Sequence, residues 1–139
     1  MFIIGLDNGF YVKSNKRAIS REMLPAGMNF PFDHDYGDAV EIIYWRKNWG
    51  LRNAVMNAFY WRFNTNITEY LIETPEQVFT LIEVIASFLD KEKWEDEGDS
   101  IWEYKNERLV LIQNIVNLAM IYSFMQENQD VYLEFYDSY

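Results

Sequence analysis

Apolar and polar positions alternate in blocks along the chain, and each block predicts an element. FIIGLDNGFYVK, residues 2–13, places apolar and aromatic residues on both sides of Asn8-Gly9, the dipeptide of a type I′ turn, and predicts a β-hairpin. Residues 14–37 contain two of the three prolines and predict a short helical turn near Ala18–Leu24, followed by an irregular loop over 25–37. Asp38-Ala39-Val40-Glu41 fits a capping box. From there Ile42, Trp45, Trp49, Arg52, Met56, Phe59 and Phe63 form one seam at 3–4 spacing, which predicts a helix over about 38–63 that Asn64-Thr65-Asn66 ends. Gly50 lies within it and lowers its helix propensity.

Glu69–Glu73 is a short strand candidate. Thr74-Pro75-Glu76-Gln77 then starts a helix over about 75–90, with Thr at N-cap, Pro at N1 and Gln at N3. Val78, Leu81, Ile82, Ile85, Phe88 and Leu89 are its predicted buried face. A charged linker, 91–100, precedes a helix over about 101–126. The centre of that helix, LVLIQNIVNLAMIY, is apolar nearly all round and so predicts the most buried helix. The alternating VYLEFYDSY predicts a C-terminal strand over 131–137. The sum is an α+β fold: three main helices packed on a small, mainly antiparallel sheet, in one domain spanning 1–139.

Charge sharpens this picture. The net charge is −10, and it is divided unevenly: residues 1–63 hold 8 basic and 6 acidic side chains, residues 64–139 hold 4 and 16. An acidic surface repels a phosphate backbone and favours a basic partner. Direct nucleic-acid binding is therefore disfavoured, although Lys13, Lys16, Arg17 and Arg21 form a basic patch; plain solubility is the simpler reading of the acids. The chain has no cysteine, which excludes disulfides and thiolate metal sites and suits a reducing compartment. The first residues lack the pattern of a signal peptide, and no 18-residue window is free of charged and polar groups, so no membrane span is expected.

Candidate chemistry is sparse. Asp33, His34 and Asp35, with Asp38 beyond them, are the one His–carboxylate cluster; the spacing matches no metal motif, and a capping loop explains it as well. Trp94, Glu95, Asp96, Glu97 and Asp99 lie in an acidic stretch that lacks the pattern of a calcium loop; it reads as a solvated linker or as a contact for a basic partner. There is no dinucleotide or P-loop fingerprint and no nucleophile–His–Asp order, so no cofactor and no catalytic set is expected. Gln113, Asn114 and Asn117 in the apolar helix must bond within the domain or line a polar pocket. Arg46 and Lys47, with Arg52, lie among Trp45 and Trp49, a grouping that could hold a phosphate and stack a base. Arg52 falls in the apolar seam itself, so an ion pair with a carboxylate of the acidic half is expected.

Gly5-Leu6-Asp7, Tyr44-Trp45-Arg46-Lys47, the segment Tyr70–Val78 and the aromatic Tyr132–Tyr139 occur in that order over nearly the whole chain. In this the sequence resembles a family of small bacteriophage and prophage proteins with a GLDMYL-like start, a YWRKANxIHxWF box, a Y-x-V-S-x-E-x-L segment and an aromatic-Ser-rich end. The family's His falls at Arg52 and its Trp-Phe at Ala54-Val55, so no role of that His carries over. The resemblance implies a phage origin and action in the cytoplasm of the bacterial host. The expectation is a non-enzymatic protein that binds a host protein with a basic surface, an inhibitor of antiviral defence being one form of it. A nucleotide- or phosphate-binding protein is the alternative, and self-association is left open.

Overall fold

The structure, a computed structural model, describes residues 7–33, 37–46, 48–68, 71–90 and 101–138, with the backbone alone for 101–106. The elements are β1 (Asp7–Ser14), a 3₁₀ turn (Arg21–Met23), β2 (Val40–Arg46), α1 (Trp49–Phe63), α2 (Pro75–Ser87), α3 (Ile101–Glu127) and β3 (Val131–Ser138). The α+β architecture is as expected: among the described residues there are three helices and a three-stranded antiparallel sheet of order β2-β1-β3.

The N-terminal hairpin and the first helix differ from the sequence expectation. The chain does not turn at Asn8-Gly9. Both residues lie inside β1, the central strand, where Gly9 faces Tyr44 on one side and Tyr136 on the other. The bare Cα is needed there, because a Cβ at Gly9 would collide with Glu41 Oε2, Tyr136 and the Ile43 carbonyl. Residues 2–6 of the expected hairpin lie outside the described residues.

The second correction concerns 38–63. Val40–Arg46 is strand, and the helix begins only at Trp49. Val40, Ile42, Ile43, Tyr44 and Trp45 are β-branched or aromatic, which suits a pleated, packed surface. The strand is buried on both faces, so it reads as an unbroken apolar run that satisfies a helical period equally well. Asp38 caps nothing; it is exposed, and its carbonyl accepts from the Ile19 N–H at 3.1 Å. The cap of α1 is Asn48, whose side chain accepts from the Leu51 N–H at 3.1 Å. Asn64, in the left-handed conformation (φ 50°), closes the helix, as the Asn64-Thr65-Asn66 signal predicts.

The start of α2 is as read from sequence: Thr74 Oγ1 accepts from Gln77 N (3.2 Å), and Gln77 Oε1 accepts from Thr74 N (3.1 Å). Among the described residues of 69–73, only a bridge at Ile72 to Leu133 extends the sheet. One sheet face, with Phe10, Val12, Leu133 and Phe135, joins Leu51, Val55 and Phe59 of α1, Leu81 and Ile85 of α2 and Leu118 and Ile121 of α3 in a single core. Each such side chain contributes about 2 kcal/mol when fully buried.

The helix α3 is not buried all round. Leu111, Leu118, Ile121 and Met125 face the core, while Leu109, Val110 and Val116 are exposed. By length and composition, its segment Glu107–Glu127 could cross a membrane. In the fold it packs along α2 and ties itself to the domain through Asn117, whose Nδ2 donates to the carbonyls of Asn29 (2.6 Å) and Ile42 (2.9 Å) and whose Oδ1 accepts from Asn29 N (2.9 Å).

Candidate functional site

The basic–aromatic grouping singled out in the sequence is split by the fold. Trp45 is buried on β2, and Arg46 is exposed at the end of that strand. Lys47 lies outside the described residues. Trp49, expected in the apolar seam, is instead 46 % exposed in the first turn of α1. Arg52 points inward and pairs with Asp137 of β3, the ion pair with the acidic half that its position in the seam called for. Its Nε donates to both carboxylate oxygens at 2.9 and 3.0 Å, and its Nη2 reaches Oδ2. The two side chains are only 12 % and 13 % exposed. The strand register sets Asn8 opposite Asp137, so the Asn8 amide also donates to that carboxylate. The Arg52 guanidinium lies 5.8 Å from the Trp49 ring centroid. This is a tie between α1 and β3, and an anion could claim the guanidinium only by displacing Asp137.

On the other face of the sheet, Glu41 and Tyr136 meet across Gly9. Tyr136 donates to Glu41 Oε2 at 2.5 Å, and Tyr44 donates to Asp7 at 3.0 Å. Burial pushes the Glu41 carboxyl above its usual range; the Tyr136 hydrogen bond opposes this and the nearby Asp7 charge adds to it. Burial, then the Glu41 bond, push the Tyr136 hydroxyl upward, so it stays protonated. With Glu41 4 % exposed, the pair is closed to a substrate and holds strands together.

The remaining candidates divide similarly. Lys13 pairs with Glu134 (3.6 Å), Arg17 pairs with Asp130 (2.8 Å), and Arg21 stacks on Phe30, so much of the basic patch is occupied by the chain itself. Ser14 and then Arg17 hold the Asp130 carboxyl below its usual range. Asp33 is exposed; His34 and Asp35 lie outside the described residues, as do Trp94, Glu95, Asp96, Glu97 and Asp99. Among the described residues, no three His, Cys, Asp or Glu side chains gather as a metal site. Gln113 is half-buried, and Asn114 is buried with its amide nitrogen unpartnered among the described residues.

The feature that sequence reasoning missed is a groove between α1, α2 and α3. It has a volume of about 410 Å³ and is lined by Arg62, Phe63, Glu76, Phe79, Thr80, Glu83 and Tyr122. The rings of Phe63, Phe79 and Tyr122 supply apolar surface, and Phe79 is 53 % exposed. Arg62 donates to Glu83 at 2.6 Å across the helix pair, and Glu76, in the first turn of α2, is the groove's other acidic side chain. The signal was present: Phe79 lies off the Val78–Leu81–Ile85 stripe of α2. A groove of this kind accepts an apolar side chain with a cation beside it. No family model matches the chain, and neither curated proteins nor solved structures give a match. The functional reading therefore rests on this geometry together with the sequence pattern.

Proposed function

We propose that this chain is a phage-encoded interaction protein without a reaction of its own, acting in the bacterial cytoplasm on a host protein with a basic surface. Inhibition of a host antiviral defence is the role this reading favours. The observation that carries it is the groove: the exposed ring of Phe79 beside the half-buried ring of Tyr122, bordered by Glu76 and by the Glu83–Arg62 pair, on a chain of net charge −10. Aromatic anchors with an acidic rim suit a partner that offers an apolar side chain next to Lys or Arg. The phosphate-binding alternative is weaker, since the guanidinium it needs, Arg52, is engaged by Asp137.

The test is capture of partners from a bacterial lysate by the tagged chain, with nuclease present, read by mass spectrometry. One stoichiometric protein, retained by the parent and lost with Phe79→Ala and with Glu76→Lys, supports the reading. A chain recovered alone, with a small molecule released on denaturation, overturns it in favour of ligand binding.

A further inference from the structure

The outward side of α1 carries no charge. The helix turns about 100° per residue, so Leu51, Val55 and Phe59 centre on the buried side and Trp49, Gly50, Asn53, Asn57, Tyr60, Trp61 and Asn64 gather on the opposite one. Trp61 is 81 % exposed and Tyr60 59 %, and their rings meet edge to face at 5.8 Å. In a domain that is 24 % charged, these seven positions are all aromatic, amide or glycine.

We propose that this face is a two-fold interface between two copies of this chain. The first reason is charge. Two molecules of net charge −10 repel through most of their surfaces, and this face can be desolvated against its own copy without setting like charges together. The second reason is spacing. In a two-fold contact, residue i meets the partner's residue j, and j meets the partner's i. An antiparallel pair of α1 helices crossing at the height of Val55, on the opposite side of the helix from it, sets Trp49 against the partner's Trp61, Gly50 against the partner's Tyr60 and Asn53 against the partner's Asn57. The outward residues thus match in both directions: ring on ring, a ring over a glycine that makes room for it, and amide on amide. Arg52 Nη1 already donates to Asn53 Oδ1 at 3.0 Å, so the Asn53 amide nitrogen is the donor for the partner's Asn57 oxygen. The contact runs about 18 Å along the helix and shares no residue with the groove lined by Phe79 and Tyr122.

The test is sedimentation equilibrium of the full chain over a concentration series, joined to cross-linking. The parent is expected at twice the chain mass, with dimerisation strengthening as salt screens the repulsion between the two acidic chains. Trp61→Glu, at a side chain already in solvent, is expected to weaken dimerisation at least tenfold with the circular dichroism spectrum unchanged. Trp49→Lys combined with Trp61→Glu is expected to restore the dimer, because each new cation then faces a new anion. The chain has no cysteine of its own. An oxidised mixture of Asn53→Cys and Asn57→Cys chains should therefore give the mixed cross-linked pair in preference to either like pair. A parent that stays monomeric at all concentrations overturns the proposal. So does a dimer indifferent to Trp61→Glu, a double variant no better than the single one, or a face whose loss releases a different protein instead of a second copy.

Discussion

In the sheet, Glu41 leaves water under the Tyr136 hydroxyl, and Asp137 does so against Arg52 and Asn8. On the outward side of α1, Trp49, Tyr60 and Trp61 stand in solvent, and Asn57 offers its amide there. The difference separates residues that serve this fold from residues that serve an association. A buried charge is tolerable only with its partner inside the same chain, so its removal acts on stability. An exposed ring contributes little to the fold that carries it, so its removal acts on whatever covers it.

Four substitutions test that separation, in order of decreasing effect on stability. Gly9→Val puts branched carbon into the space where Glu41 and Tyr136 meet; overpacking together with the lost hydrogen bond is expected to cost about 4 kcal/mol in urea unfolding. A cost under about 1 kcal/mol would mean that the strands yield there. Asp137→Ala removes the carboxylate of a largely buried ion pair and should cost about 3 kcal/mol, most of it recovered when Arg52→Met is added; additive costs would break the assignment of the pair.

Glu41→Gln changes a pH dependence. Burial raises the folded-state carboxyl above 4.5, so the folded chain keeps a proton that the unfolded chain releases. Stability from this group is present below 4.5 and is lost as pH rises through the raised value. Glutamine retains the acceptor for Tyr136 and has no proton to lose. The parent should therefore lose stability relative to the variant across that window, and parallel curves would contradict the burial. Asp130 has the opposite sign, its contribution disappearing as pH falls below 3.8, so it does not confuse the measurement. Phe79→Ala, last, should shift stability by less than about 0.5 kcal/mol while abolishing partner capture. A large loss of stability there would move Phe79 from the surface class into the core.

The legible elements were those whose signals are local. Thr74-Pro75-Glu76-Gln77 names a helix start because its hydrogen bonds close within four residues. Asn64 stops α1, and the alternation in Val131–Ser138 marks a half-buried strand. Asn8-Gly9 misleads because its local preference, a turn, is overridden by strands from distant parts of the chain that pack on both sides of Gly9. Residues 40–46 mislead because a strand covered on both faces has no period of its own. The candidate site was partly legible in the same sense. That Arg52 needs an acid follows from its place among apolar residues, whereas the groove joins three helices and no stretch of sequence contains it.

The sequence by itself determined the α+β class, the cap that starts α2 and the residues that end α1, the −10 charge and the need to pair Arg52, since each depends on residue chemistry or on contacts a few positions apart. Only the tertiary structure decided that Gly9 is the centre of a sheet, that Asp137 is the acid Arg52 meets, and that Trp49, Tyr60 and Trp61 of α1 face outward. Those are outcomes of packing between segments far apart in the chain, where burial over many contacts outweighs the preference of any short stretch.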